Sequence, residues 1–136
     1  MNARVDPPSA ARKQARILVV DDEEAIRDAA REYLSALGYH VDVAEERAEA
    51  EVMLASCDYE LLIADMRLTG EHGREGLELV SFFRDRCPSA RSVLLTAYGS
   101  PDVEREARQR GVDVFLEKPV PLAHLARIAH DLVGGS

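Results

Sequence analysis

Two runs of consecutive apolar residues, each ended by acidic residues, stand out in the hydrophobic pattern of the chain. Residues 61–64 are followed by Asp65, and residues 17–20 are followed by Asp21 and Asp22. An unbroken apolar run of this length is typical of a strand buried on both faces of a parallel sheet. The ends of such strands lie along the carboxyl edge of the sheet, where α/β proteins place their ligand crevices. From its own stretch alone, Asp65 is equally consistent with a nucleophile that accepts a phosphoryl group and with a simple turn cap.

Segments with helical periodicity alternate with the strand-like segments along the chain. Helices are predicted over residues 24–37, 47–57, 76–86, 101–110 and 122–133, and further strands over residues 40–44, 91–95 and 112–116. Ser100 and Pro101 are typical of a helix start, and Gly38 and Gly111 of helix ends. Strict alternation with short connections predicts an α/β, doubly wound parallel sheet of five strands in the order 2-1-3-4-5, with five flanking helices.

The length of 136 residues fits one domain. Residues 1–15 are polar and proline-containing without an apolar period, so we expect a disordered leader. The folded domain is expected over residues 16–133, and residues 134–136 resemble a tail or a linker stub. Since nothing follows the fifth predicted helix, the sequence fits either a stand-alone domain or one cut from a longer protein.

Composition narrows the function classes. A formal net charge of -8 argues against direct nucleic-acid binding, which needs clustered Lys and Arg. No apolar run approaches the ~18 residues of a membrane span, and no secretory signal is present, so the expected compartment is the cytoplasm. Cys57 and Cys87 have no metal-type spacing and are expected to be two reduced thiols near helix ends.

The predicted topology brings several polar residues to one edge. Strands 1 and 3 flank the switch point and deliver Asp21, Asp22 and Asp65, while strands 4 and 5 deliver Thr96 and Lys118. Three carboxylates in one crevice need protons or a cation to coexist, and oxygen-only ligands suit Mg²⁺. Lys118 adds a fixed positive charge and Thr96 a hydroxyl donor, which together suit phosphoryl transfer to an aspartate. Considered alone, each residue has a simpler interpretation. Thr96 would be a strand-end cap, and Lys118 would be a surface cation.

This set of residues, with Ala97 and Pro119 beside it, resembles the receiver domain of bacterial two-component response regulators, the CheY-like family. The resemblance covers about residues 16–133. It implies that Asp65 accepts a phosphoryl group from a phosphohistidine of a sensor histidine kinase or a histidine phosphotransfer protein. It also implies a signalling protein rather than an enzyme, although a receiver takes part in its own phosphotransfer and dephosphorylation.

The resemblance further assigns roles around the site. Asp22, Asp65 and the backbone carbonyl of Arg67 would ligate Mg²⁺, with Asp21 acting mainly through water. Lys118 would contact the phosphoryl group, and the Lys118–Pro119 bond would be cis, a geometry that proline makes accessible.

The family also switches on phosphorylation. Thr96 would move toward the phosphoryl group and Phe115 would turn inward behind it, although a Phe in a strand is equally well explained as core. The fourth predicted helix has only Val103 and Ala107 as clear core residues, which suits an element with two arrangements. The face formed by the fourth helix, fifth strand and fifth helix would signal to an unknown downstream protein, from a monomer or a weak homodimer.

The segment after Asp65 departs from the family pattern. Thr69 stands where receivers usually carry proline, and the Gly-Leu-Glu segment that begins at Gly76 arrives about three residues late. We expect a mobile loop over the site. Arg67 and Tyr98 are large residues bordering the path of an attacking water, so we expect slow loss of the phosphoryl group.

Two other functions use similar features. An aspartyl-phosphate hydrolase of the haloacid dehalogenase type also uses Asp, Lys, Thr and Mg²⁺, but it requires Asp-x-Asp after its first strand. Here Asp21 and Asp22 are adjacent. A phosphorylation-independent interaction module would keep the fold without the chemistry, yet every expected site residue is present.

Overall fold

The computed structural model describes residues 15–68 and 73–133, so all but the last residue of the expected leader (1–15) and the whole expected tail (134–136) lie outside the described residues. Within the described residues, five strands alternate with five helices. The strands are β1 (Arg16–Val20), β2 (His40–Ala44), β3 (Leu61–Asp65), β4 (Arg91–Thr96) and β5 (Val114–Glu117). The helices are α1 (Glu24–Ala36), α2 (Arg47–Leu54), α3 (Glu75–Arg86), α4 (Pro101–Gln109) and α5 (Leu122–Leu132).

The strands form one parallel sheet in the order β2-β1-β3-β4-β5. The predicted architecture is therefore confirmed. β1 and β3 are neighbours, with Val20 paired to Ala64, and Asp65 pairs with Leu95 of β4. This register places the ends of β1, β3 and β4 side by side at the carboxyl edge of the sheet.

Aliphatic side chains fill a layer on each face of the sheet. On one face, β-strand residues such as Leu62 and Leu94 pack with Leu54 of α2, Phe83 of α3 and Ala107 of α4. On the other, strand residues pack with α1 and α5, through residues that include Leu34, Ala129 and Ile63. All five residues of β3 are buried, as expected of a central parallel strand. Among the described residues, no helix has the length and apolar character needed to cross a membrane.

Several element boundaries differ from the prediction, most of them by one residue. α2 ends at Leu54 rather than at residue 57, because Cys57 has a positive φ of 61° that cannot continue a right-handed helix. α3 begins one residue earlier, at Glu75. β5 begins at Val114 rather than residue 112, because the N–H of Val112 donates to the carbonyl of Ala107 and so still belongs to the turn after α4. The predicted start of α4 is confirmed, since the N–H of Val103 donates to Oγ of Ser100.

The expectation of two reduced thiols is wrong in this structure. Cys57, after α2, and Cys87, directly after α3, are joined in a disulfide with their Cα atoms 5.5 Å apart. The two residues are 30 positions apart in the chain. Their proximity arises because α2 and α3 lie side by side on the same face of the sheet, which no local sequence pattern records.

Gly76 joins the start of α3 to the end of β3. Its N–H donates to the carbonyl of Met66 at 2.9 Å. A Cβ at this position would lie 2.3 Å from the carbonyl oxygen of Asp65. Only glycine permits this close approach, which sets the position of the helix against the end of the central strand.

We predict that Gly76→Ala lowers the free energy of unfolding by about 1–3 kcal/mol, because a methyl group would press against rigid backbone. The matched control is Gly99→Ala, where the three atoms nearest to an added Cβ all belong to the flexible side chain of Glu117. Urea denaturation of both variants checks this. Equal losses of stability would contradict the close-packing argument.

Candidate functional site

Three carboxylates meet at the carboxyl edge of the sheet. Oxygen atoms of Asp21, Asp22 and Asp65 all lie within 4.8 Å of one another. Asp21 and Asp65 are buried, at 2% and 8% exposure, whereas Asp22 is exposed. The topology brings them together because β1 and β3 are hydrogen-bonded neighbours that end at the same edge.

Lys118 reaches this cluster from the end of β5. Its Nζ lies 3.1 Å from Oδ2 of Asp21 and 3.3 Å from Oδ1 of Asp65. The ammonium group therefore bridges the two buried carboxylates. The Lys118–Pro119 peptide bond is cis, as the family resemblance implies.

The electrostatics of the cluster are dominated by burial. Burial raises the pKa of Asp65 from 3.8 to about 6; the positive charge of Lys118 opposes this rise, and the negative charges of Asp21 and Asp22 add to it. Burial by itself lowers the pKa of Lys118, but the carboxylates of Asp65 and Asp21 outweigh it, so that this pKa lies above 10.5. Lys118 is thus a cation at neutral pH.

Local backbone contacts hold the Asp21 segment in place. Oδ1 of Asp21 accepts a hydrogen bond from the N–H of Glu23 at 2.9 Å, next to the start of α1. Nη1 of Arg27, one turn into α1, donates to the backbone carbonyl of Asp21 at 2.8 Å. The Asp21 carboxylate therefore serves as a turn acceptor and as a partner of Lys118 at the same time.

Thr96 and Phe115 lie on the two strands beside the cluster. Thr96 is buried, and its Oγ1 accepts a hydrogen bond from the N–H of Tyr98 at 3.2 Å. Phe115 is half-buried and packs against the apolar core on the α2–α3 face of the sheet, as Val103 of α4 does. Tyr98 is 82% exposed.

Thr69, Gly70, Glu71 and His72, on which the expected loop mobility depends, lie outside the described residues. On one side of them, the N–H of Leu68 donates to Oε1 of buried Glu75 at 3.4 Å. On the other side, Gly73 has a φ of 70°, and a Cβ added to it would lie 3.2 Å from Nε of the exposed Arg67 side chain. A hydrogen bond between Leu68 and Glu75 thus joins the chain on the two sides of this segment.

Three residues that contribute to this region were not singled out from the sequence. Arg27 and Glu75 make the backbone contacts described above, and Oε2 of Glu117 accepts a hydrogen bond from the N–H of Gly99 at 3.1 Å. Each is an ordinary charged residue in an amphipathic or strand-end position. The adjacency of Glu117 to Lys118 is the one local signal that could have directed attention to it.

The donor set fits a hard divalent cation. Its side-chain ligands are all carboxylate oxygens, which Mg²⁺ prefers, and two of them come from buried residues held by fixed partners. With one ammonium beside three carboxylates, the cluster keeps an excess of negative charge that a cation would neutralise.

A cavity of about 530 Å³ opens over the cluster. Its lining includes Asp22, Asp65, Arg67, Thr96, Tyr98 and Lys118. Arg67 and Tyr98 therefore border the same space as the carboxylate of Asp65. A cavity of this size accommodates a phosphoryl group together with several water molecules.

Comparison with known proteins agrees with this geometry. Residues 17–130 match the family model described as the response regulator receiver domain. The alginate biosynthesis transcriptional regulatory protein AlgB of Pseudomonas putida is 37% identical over 111 residues, covering 82% of this chain and 24% of AlgB. The chain thus spans about a quarter of the length of that relative.

Solved structures show the same similarity. A CheY-like response regulator receiver domain protein from Methanospirillum hungatei aligns with a TM-score of 0.80 and 27% identity over 88% of this chain and 94% of that one. A response regulator protein from Burkholderia pseudomallei aligns with a TM-score of 0.76 and 28% identity over 90% of this chain and 68% of that one. That structure contains a phosphorylated aspartic acid, a calcium ion and citrate.

The raised pKa of Asp65 predicts a pH-dependent stability. Because the folded state holds this proton up to about pH 6 and the unfolded state only to about 3.8, stability falls as pH rises through that window. In buffer without divalent cations, Asp65→Asn should therefore be more stable than the parent at pH 7.5, by at most about 3 kcal/mol. The gain should vanish as pH falls toward 4.

Urea denaturation across pH 4–8 measures this difference. Asp58→Asn, an exposed aspartate before β3 and so at the opposite edge of the sheet, is the control and should show no such trend. A stability difference between Asp65→Asn and the parent that stays constant with pH would contradict the assignment of the raised pKa to Asp65.

Proposed function

The chain belongs to the response regulator receiver family, and from this premise we propose that it accepts a phosphoryl group on Asp65 in a reaction that requires Mg²⁺. The observation that supports this most directly is the position of Lys118, whose Nζ bridges Asp65 and Asp21 beside a cluster of carboxylates. A family member could keep the fold without the chemistry, but it would have no need to bury an aspartate against a lysine.

We propose the following roles in the transfer. One carboxylate oxygen of Asp65 contacts Lys118, and we assign the attack on phosphorus to the other oxygen. As the O–P bond forms, the N–P bond of the donor phosphohistidine breaks, and the released imidazole nitrogen takes a proton. Lys118 stabilises the negative charge of the phosphoryl oxygens during this transfer.

Asp21, Asp22, Asp65 and the backbone carbonyl of Arg67 are the groups that would hold Mg²⁺. When bound, the cation neutralises charge on the phosphoryl oxygens and offsets the repulsion among the carboxylates. Lys118 neutralises only part of that repulsion. The carboxylate charge that Lys118 leaves uncompensated supports a requirement for a divalent cation in the reaction.

The donor would be a sensor histidine kinase or a histidine phosphotransfer protein, and the compartment would be the cytoplasm. The chain would act as a signalling domain that takes part in its own phosphotransfer and dephosphorylation. In a longer protein the downstream target would belong to the same polypeptide; AlgB, of which the matched region covers 24%, is named as a transcriptional regulatory protein. We expect a monomer or a weak homodimer.

Switching would begin at Thr96. In the present state its hydroxyl accepts the N–H of Tyr98. After phosphorylation we propose that the hydroxyl donates to a phosphoryl oxygen instead, which moves the β4–α4 connection and draws the half-buried Phe115 inward. α4 suits such a movement because, of its nine residues, all of them described, only Ala107 is buried.

Besides the burial of Ala107, polar side chains link α4 and the residue after it to α3 and the residue before it. Arg74 pairs with Glu106, and Arg110 donates to Oγ of Ser81 at 3.0 Å. Surface ion pairs of this kind contribute little free energy, typically about 0–1 kcal/mol. We propose that the face of α4, β5 and α5 therefore rearranges at low cost and carries the signal to the partner.

The phosphoacceptor assignment predicts a covalent adduct. Incubation with Mg²⁺ and acetyl phosphate should add the mass of one phosphoryl group to the intact protein, and Asp65→Asn should abolish the addition. Lys118→Ala should reduce it strongly, whereas Asp58→Asn should leave it unchanged. Omitting Mg²⁺ and adding a chelator should prevent it.

Two outcomes would replace this proposal. Release of many phosphates per protein molecule would indicate an aspartyl-phosphate hydrolase. Absence of an adduct under all conditions, with a folded protein, would indicate a phosphorylation-independent interaction module.

The large residues that border the cavity predict a long-lived phosphoryl group. Replacing Arg67 and Tyr98 together with Ala should speed dephosphorylation severalfold, because both side chains restrict the approach of water to Asp65. The decay of the adduct, followed by intact mass, gives the rate.

Tyr33→Ala, which removes a partly exposed tyrosine of α1, is the control for loss of an aromatic ring. An unchanged decay rate in the double variant would contradict the role assigned to these side chains.

A further inference from the structure

The disulfide between Cys57 and Cys87 lies at the amino edge of the sheet, away from the carboxylate cluster. Cys57 precedes β3 and Cys87 precedes β4, whereas the cluster follows the carboxyl ends of the strands. A five-residue strand spans roughly 15 Å. The proposed phosphorylation chemistry therefore makes no use of this sulfur pair.

The two sulfur-bearing residues differ in accessibility. Cys57 is exposed, while Cys87 is only 7% exposed and belongs to the core of the α2–α3 face. Cys57 also has a φ of 61°, a left-handed conformation that residues with side chains rarely adopt. Glycine would be favoured here on backbone grounds, so the presence of cysteine is better explained by its sulfur.

A cavity of about 490 Å³ lies against the disulfide. Both cysteines line it, together with Arg86, Arg91 and Glu60. The volume suits a small organic molecule. The two guanidinium groups outnumber the one carboxylate, so the cavity favours a molecule with negative charge. Each arginine also has a partner within the protein: Arg91 lies 3.9 Å from Asp113, and Nε of Arg86 donates to the carbonyl of Ala55.

We propose that the Cys57–Cys87 pair is a thiol–disulfide exchange site for an anionic low-molecular-weight thiol, with Sγ of Cys57 as the sulfur that is attacked. The exposure of Cys57 and the cavity that it lines together with Arg86 and Arg91 support this assignment. Disulfides within proteins of a reducing compartment are usually transient and redox-sensing.

The exchange balances without any further reagent. A thiolate attacks Sγ of Cys57, forming a mixed disulfide and releasing Cys87 as a thiolate that takes up a proton. A second thiolate attacks the small-molecule sulfur of the mixed disulfide, forming the free small-molecule disulfide and releasing Cys57 as a thiolate that is also protonated. Two thiols are oxidised and one protein disulfide is reduced; an excess of the small disulfide drives the reverse reaction.

Opening the bond would free the ends of α2 and α3 from each other. Both helices would still be held by the core through Leu54 and Phe83, and α3 would still contact the end of β3 through Gly76. We therefore expect reduction to lower the thermal midpoint without preventing phosphorylation of Asp65. This expectation makes the redox site independent of the proposed function.

The test uses glutathione as the probe. The folded protein is equilibrated in buffers of varied ratio of reduced to oxidised glutathione, free thiols are trapped with iodoacetamide, and the intact mass is recorded. We expect a reversible change between no label and two labels, with a lower thermal midpoint in the reduced form. Two free thiols at every ratio, or a disulfide that glutathione opens only in denaturant, would overturn the proposal.

Single-cysteine variants identify the attacked sulfur. In Cys87→Ala, Cys57 should form a mixed disulfide with oxidised glutathione on the order of tenfold faster than Cys87 does in Cys57→Ala. Equal rates in two variants of native-like circular dichroism would contradict the assignment. Should Cys87→Ala fail to fold, reduced parent protein gives the same comparison, with the site of the first mixed disulfide located by peptide mapping.

The charge preference has its own control. Arg86→Gln should slow the reaction with glutathione while leaving the reaction with uncharged 2-mercaptoethanol unchanged. The same slowing with both thiols, or slowing with neither, would refute the anionic preference.

Discussion

The ammonium group of Lys118 lies between two buried carboxylates, which repel each other when both are ionised. Its distances to Asp21 and Asp65 are 3.1 and 3.3 Å. Lys118 reaches them only because β5 ends at the same edge as β1 and β3. The parallel sheet and its strand order are thus the scaffold that this charge arrangement requires.

Burial of Asp65 has two opposing consequences for the molecule. It raises the pKa of the carboxyl to about 6, which weakens the folded state at neutral pH in the absence of a cation. It also excludes much of the surrounding water, and this strengthens the interaction of Lys118 and a bound cation with a phosphoryl group. The buried Asp65 thus lowers the stability of the folded protein at the same position where the charge of a phosphoryl group must be stabilised.

The two edges of the sheet carry different functional groups. The carboxyl edge holds the carboxylates and Lys118, and the start of α3 is pressed against it through Gly76. The amino edge holds the Cys57–Cys87 pair at the other end of α3. One helix therefore contacts both sites, but it reaches them at opposite ends and through different chemistry.

The local pattern of the sequence determined the fold and the chemical character of the carboxyl edge. Apolar runs ended by acids marked the central strands, and the alternation of strand and helix periodicity gave the strand order, because burial on both faces leaves little freedom in such a pattern. Asp21, Asp22, Asp65, Thr96 and Lys118 could all be placed at one edge on that basis alone.

Tertiary structure decided which of these groups touch. The contact of Lys118 with Asp21 joins residues 97 positions apart, and the close approach of Gly76 to Asp65 depends on how α3 packs against β3. The same is true of the cysteines: their spacing of 30 residues suggested nothing, and only the parallel packing of α2 and α3 brought them together. Periodicity reports which face of an element is buried, whereas distances between elements depend on the packing of the whole core.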